Sequence, residues 1–127
     1  MRDIKFRGKT QDGKWVYGGL IHSGTDTIAI LELDAPCLEL VTDVVPDTIG
    51  QFTGLHDKDG KEIYEGDVIK IYDSVAGYVR YNAKYWRYEV AAPKEPIDNE
   101  RIPSGVPSEC WEIIGNIHDN PELLKSL

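Results

Sequence analysis

The feature that most constrains this chain is a series of glycine-containing turn signals that divide it into short segments. Asp12-Gly13 and Asp59-Gly60 are dipeptides that accept positive φ at both central positions of a type I′ turn. The first therefore predicts a hairpin between residues 3–9 and 14–21, and the second predicts another hairpin near residue 60. No window carries a sustained 3.6-residue apolar period of helical length, so the sequence favours an all-β fold.

β-Branched and apolar residues fill the segments between the turns, as is typical of strands. We expect strands at 27–33 and 41–45, the second ended by Pro46 because proline cannot donate to a strand ladder. Three further runs with short connections predict a meander, at 67–72, 75–81 and 85–91. Meanders of this kind are typical of a small barrel or sandwich rather than a βαβ unit. A last strand is expected at 111–118.

The end of the chain carries the one clear helix-start signal. Asn120 can cap free N–H groups, Pro121 suits the first helical position, and Glu122 suits the positive end of the helix dipole. Residues 92–108 contrast with this, because four prolines crowd a stretch with little apolar content. We expect a long loop there, either a mobile excursion or a segment ordered by a partner, often another subunit.

Together these patterns predict an all-β (mainly β) protein with an N-terminal β-hairpin region at residues 1–47. A small SH3-like β-barrel region follows at residues 48–127, with the long loop 92–108 and a short C-terminal helix. Because the chain has only 127 residues, we expect the two regions to form one compact unit.

Composition narrows the functional classes. The chain has 14 basic and 22 acidic residues, a formal charge of −8, which argues against coating DNA through bulk charge. Its longest aliphatic run, 28–31, is far shorter than a membrane span, so we expect no membrane partner. The charged start argues against a secretion signal, and the two cysteines, Cys37 and Cys110, form no disulfide framework. We therefore expect a cytoplasmic protein.

Three blocks along the chain carry a family likeness: residues 48–69, the opening residues 1–7, and the closing residues 112–124. In these blocks the sequence resembles the YopX family of phage and prophage proteins, with only 73–110 departing from the likeness. The resemblance implies a small cytoplasmic protein of phage or integrated-element origin in a bacterial host cell. It implies no catalytic residue, and it makes assembly into a homo-oligomer plausible by analogy.

The central block, 48–69, has two physical interpretations. Its recurring glycines suit places where the chain reverses, and its apolar residues suit a folding core. The alternative is a recognition surface at the hairpin tip, because loops on rigid scaffolds often carry function. The candidate residues of that surface are His56, Asp57, Lys58 and Asp59.

The spacing of acidic residues, histidines and glycines in this sequence does not match motifs for catalysis or metal binding. An EF-hand aligned on Gly60 would need ligands at Leu55 and Gly66, which cannot coordinate calcium. The three histidines, at 22, 56 and 118, lack the short paired spacing of a zinc site. There is no G-x-S-x-G, phosphate-binding or dinucleotide-binding motif. We expect no enzyme, no cofactor and no metal.

The segment 78–88 is the most suggestive for binding, since it holds five aromatic residues and three cations with no acid. Alternation places Val79 and Tyr81, with Trp86, Tyr88 and Val90, on a core-facing side. The candidate interaction residues that remain are Tyr78, Arg80, Lys84, Tyr85 and Arg87. They could serve as scaffold only, as a protein or subunit interface, or as a stacking surface for nucleic acid.

We therefore predict a non-enzymatic phage or prophage accessory protein that acts by protein binding or self-assembly. Its expected partners are copies of itself and host or phage proteins. The alternative is a small nucleic-acid-binding β-barrel that uses the aromatic and arginine residues of segment 78–88.

Overall fold

The computed structural model describes residues 4–23, 27–32, 41–71, 74–83, 87–91 and 108–125. In this part of the chain lie ten β-strands and two short 3₁₀ helices. The strands are β1 (Phe6–Lys9), β2 (Trp15–Ser23), β3 (Thr27–Leu31), β4 (Val41–Asp43), β5 (Val45–His56), β6 (Glu62–Tyr64), β7 (Asp67–Ile71), β8 (Ser74–Asn82), β9 (Arg87–Ala91) and β10 (Trp111–Asn116). The 3₁₀ helices are η1 (Ser108–Cys110) and η2 (Pro121–Leu124). The mainly β fold class is thus confirmed.

The chain divides into two compact units, residues 1–52 and 53–127. The division expected between residues 47 and 48 falls inside β5, which begins in the first unit and ends in the second.

The first unit is an antiparallel sheet in the order β4-β3-β2-β1-β5. The predicted hairpin is confirmed, because β1 pairs with β2 from Phe6–Gly18 to Lys9–Trp15. Its turn differs from the type I′ expectation. Thr10 N donates to Lys14 O over 2.8 Å, so the loop has three residues and closes with Gly13 at φ 92°. The buried core of this unit is Val16, Ile30 and Val44, with Phe6, Ile28 and Ile49 packed against it.

Pro46 does not end a strand, contrary to the sequence expectation. It lies inside β5, at the point where the register between β1 and β5 shifts. Lys9 N donates there to Thr48 Oγ1 over 2.8 Å instead of to a strand carbonyl. A bulge tolerates proline because the ladder is already interrupted, so the missing N–H costs little.

The second unit contains a four-stranded antiparallel sheet in the order β10-β7-β8-β9, and β6 lies beside the end of β5. This is the region expected to be a small SH3-like barrel, and its strands follow the expected meander. Its core is larger than that of the first unit and comprises Ile63, Ile69, Ile71, Val79, Val90 and Trp111.

The predicted C-terminal helix is the four-residue 3₁₀ helix η2. Asn120 makes no side-chain cap hydrogen bond to it, contrary to expectation. Its Oδ1 instead accepts from Asn116 N over 3.3 Å, across the turn that follows β10. A Cβ at Gly115 would lie 2.5 Å from that oxygen, which explains the glycine. Of the expected loop 92–108, residues 92–107 lie outside the described residues and Ser108 begins η1.

Within the described ranges, no helix combines the length and the apolar character needed to cross a bilayer.

Candidate binding surfaces

The first predicted surface, the tip of the β5–β6 hairpin, is organised around a buried carboxylate. Asp57 is only 3% exposed. Its Oδ1 accepts from Asp59 N and Lys61 N, both over 2.9 Å, and its Oδ2 accepts from Ile113 N of β10 over 3.2 Å. The side chain therefore joins the hairpin tip to β10 and serves the fold rather than facing solvent.

These donors control the protonation of Asp57. Burial alone would raise the pKa of the carboxyl, but backbone N–H groups of Lys61, Ile113 and Asp59, with the charge of Lys61, hold it below the ordinary value. The carboxylate consequently stays ionised at neutral pH, and all three hydrogen bonds are charge-assisted.

The neighbours of Asp57 lie closer to solvent. Lys58 N donates to Trp111 O over 2.8 Å, and its Nζ lies 3.7 Å from Glu112 Oε1. His56 is exposed at the end of β5. Of the four candidate residues at the tip, His56, Lys58 and Asp59 are therefore exposed, whereas Asp57 is buried.

The second predicted surface lies on β8 and β9. Val79 pairs with Val90, and both are buried in the core, as alternation indicates. Tyr81, expected in the core, is instead 42% exposed. It lies opposite Tyr88 at the far end of the pair, and the two rings meet edge to face with centroids 5.2 Å apart. Of this pair, Tyr88 packs against the core cluster of the second unit and Tyr81 does not belong to it.

Arg80 is engaged within the sheet. Its Nε donates to Glu89 Oε1, and Glu89 is only 3% exposed. The hydrogen bond to Glu89, ahead of the cost of burial, raises the pKa of Arg80 above its ordinary value. The acid-free segment 78–88 stops one residue short of this carboxylate, and the sequence interpretation therefore missed the ion pair.

Two of the remaining candidates of segment 78–88, Tyr78 and Arg87, lie on these strands. Tyr78 is half-buried on β8. Arg87 begins β9, opposite Asn82. Lys84 and Tyr85 lie outside the described residues.

A third surface, on the β1–β2 hairpin, was not singled out from the sequence. Lys9 pairs with Trp15 and Arg7 pairs with Tyr17, so these four side chains share one face of the ribbon. The opposite face carries Val16, which belongs to the core. The two alternating runs, Lys5-x-Arg7-x-Lys9 and Trp15-x-Tyr17, share a face only because the loop has three residues. The expected two-residue turn would have paired Lys9 with Val16.

Cations and rings contact one another on this third surface. The Arg7 guanidinium carbon lies 4.8 Å from the centroid of the Trp15 ring, and Lys9 Nζ lies 5.9 Å from it. Lys5 Nζ lies 5.1 Å from the centroid of Phe52 on β5. All three distances fall within the range of cation–π attraction.

Among the described residues, no group of three His, Cys, Asp or Glu side chains is arranged to hold a metal ion.

Comparison with known proteins places this fold among solved structures. The crystal structure of protein EF1440 from Enterococcus faecalis matches with a TM-score of 0.60 and 23% identity, over 98% of this chain and 100% of that chain. At this identity the likeness shows a shared fold alone. A search of curated proteins found no match. The family model described as YopX protein matches residues 5–125. Since this match spans nearly the whole chain, the protein belongs to the YopX family.

Proposed function

We propose that this YopX-family protein is a non-enzymatic accessory protein that acts by binding proteins, first of all further copies of itself. The observation that carries the proposal is Tyr81, a large aromatic side chain that is 42% exposed on β8. Tyrosine is enriched at the centres of protein interfaces, where its ring adds apolar area at low entropic cost.

The surroundings of Tyr81 favour a protein partner over nucleic acid at this surface. Its ring is oriented by the edge contact with Tyr88, and β9 ends the sheet order of the second unit among the described strands. Arg80, the nearest cation of β8, is committed to Glu89. Among the described side chains, the surface therefore offers oriented aromatic area and a cation that is already paired, which suits protein association better than phosphate binding.

The family likeness supports the biological setting of the proposal. We propose an origin in a phage or prophage and action in the cytoplasm of a bacterial host. A host or phage protein is the second expected partner, after the homo-oligomer.

The test is sedimentation equilibrium at micromolar concentrations with two matched tyrosine variants. We expect the wild type to form a stable multimer and Tyr81→Ser to shift it towards monomer. Tyr17→Ser is the control, because Tyr17 is also an exposed tyrosine on a strand but lies in the other unit. It should leave the multimer intact. A monomeric wild type, or a Tyr81→Ser variant that assembles normally, would refute self-association through this surface.

A further inference from the structure

We propose that the cation–aromatic face of the β1–β2 hairpin binds single-stranded nucleic acid, a function separate from the proposed protein association. The residues of this face are Lys5, which directly precedes β1, Arg7 and Lys9 on β1, Trp15 and Tyr17 on β2, and Val45, Gly50 and Phe52 on β5.

The composition of the face sets its chemistry. Its eight described residues are three cations, three aromatic residues, a valine and a glycine, and none is acidic. Of the three rings, that of Phe52 is buried. This local charge is opposite to that of the whole chain, which is −8. An anionic ligand is therefore attracted to this face in particular rather than to the molecule as a whole.

The strand geometry presents the cations in a row. Successive side chains on one face of a strand lie about 6.7 Å apart. Lys5 and Lys9 are half-buried, whereas Arg7 is only 6% exposed, with its guanidinium over the Trp15 ring. We therefore assign phosphate contacts to the two lysines. Arg7 is a positioning residue that fixes the orientation of Trp15.

The aromatic rings favour single-stranded over double-stranded nucleic acid. Tyr17 is 47% exposed and Trp15 is half-buried beside it on the same face. Bases stack on such side chains only when they are not already stacked in a duplex, and this stacking tolerates any sequence. A face of an antiparallel sheet with aromatic residues and flanking lysines suits an extended single strand.

Fluorescence anisotropy with labelled oligothymidylate and oligouridylate tests the proposal. We expect binding at low salt, with a slope of about −1.4 for log affinity against log salt if both lysines contact phosphates. Tyr17→Ser should weaken binding about tenfold, since it removes a stacking ring. Lys9→Gln should weaken it a few-fold and make the salt slope shallower.

Two controls make the result specific. Lys14→Gln removes the same charge from the same hairpin, but Lys14 is exposed at the turn beside Asp12, outside the paired face, so binding should not change. Tyr81→Ser should also leave binding unchanged, even if it abolishes the multimer. The two proposals can therefore fail separately. Circular dichroism and thermal unfolding verify that each variant is folded.

Several outcomes would overturn the inference. These are no binding to either oligonucleotide at low salt, equal binding by Tyr17→Ser and wild type, or tighter binding to a duplex of the same length. Equal binding of polyglutamate would also overturn it, because the face would then select any polyanion.

Discussion

Two turns with nearly the same sequence close hairpins in the two units. They differ in two side chains, and the difference at the first position changes what the turn contacts. Residues 10–14 read TQDGK and residues 57–61 read DKDGK. In both, the N–H of the first residue donates to the lysine carbonyl, and the glycine N–H donates to the carbonyl of the first residue. The glycine has positive φ in each, 92° at Gly13 and 83° at Gly60.

The difference lies in the number of oxygen atoms at the first position. Thr10 Oγ1 accepts from Lys14 N over 3.0 Å, and Asp57 Oδ1 accepts from Lys61 N over 2.9 Å. Asp57 has a second oxygen, and that oxygen accepts from Ile113 N. The Thr10 hydroxyl therefore accepts within its own turn, whereas Asp57 also accepts from a strand more than fifty residues away in the sequence. With a carboxylate in place of the hydroxyl, the turn therefore gains a tertiary hydrogen bond to β10.

The largest effect is expected from Asp57→Ala. The substitution leaves three backbone N–H groups without their charged acceptor, and the free energy of unfolding should fall by about 3 kcal/mol. Thr10→Ala is the matched control in the first turn, where water can replace the lost acceptor, and should cost about 1 kcal/mol or less. Urea unfolding measures both. Equal losses would show that the contact with Ile113 contributes nothing.

A smaller effect is expected from Asp57→Thr, which gives the second turn the side chain of the first. The hydroxyl can still accept from Lys61 N, but it cannot also reach Ile113 N. We expect a loss of about 1.5 kcal/mol, since one buried donor is left unsatisfied. Hydrogen exchange should locate the change at the Ile113 amide, while the Lys61 amide keeps its protection. Loss of protection at both would mean that threonine does not support this turn.

Much of the fold could be predicted because it is encoded locally. The Asp-Gly turns, the β-branched runs and the alternation of Val79 with its neighbours predicted the strands and the meander. The errors came from long-range contacts. Pro46 lies in a strand because a bulge against β1 removes the need for its N–H. Asn120 accepts from Asn116 rather than capping η2, and only the folded turn brings these two residues together.

The candidate surfaces were harder to predict for the same reason. Nothing near Asp57 in the sequence indicates that the Ile113 N–H will be its donor. The sequence interpretation therefore assigned this buried acceptor to a recognition surface. Glu89 neutralises Arg80 from the neighbouring strand, just beyond the segment that had no acid. The face with Lys9 and Trp15 was missed because the predicted two-residue turn would pair Lys9 with Val16. Only the observed three-residue loop brings Lys9 opposite Trp15.

The pH dependence of stability should distinguish the two turns. Asp57 has a lowered pKa in the folded protein, so its contribution is complete above the unfolded value of about 3.9 and is lost as pH falls through the lower folded value. The stability difference between wild type and Asp57→Asn should therefore be constant near neutral pH and shrink below about pH 4.

Asp12 in the first turn is the control for this measurement. Its pKa is also lowered, chiefly by the Thr10 hydroxyl, but the side chain is exposed. Asp12→Asn should consequently change the acid response little, because solvent screens the interaction. A difference between wild type and Asp57→Asn that does not change down to pH 2 would contradict the assigned role of the carboxylate.

The smallest effect is expected at the second position of each turn, which is Gln11 in the first and Lys58 in the second. Lys58→Gln makes the two turns alike at this position and removes the ion pair with Glu112. That pair is 3.7 Å long, and its side chains are 48% and 33% exposed. Exposed pairs at this distance are worth little, so we expect a change below about 0.5 kcal/mol that disappears at high salt.

The hydrogen bond from Lys58 N to Trp111 O does not depend on the side chain and should persist in Lys58→Gln. A loss above about 1 kcal/mol would therefore place the ammonium group, and not only the backbone, among the contacts that hold the tip to β10. If stability is unchanged as expected, the same variant tests whether the tip binds a partner. A multimer that weakens in Lys58→Gln without loss of stability would extend the association surface from Tyr81 to the hairpin tip.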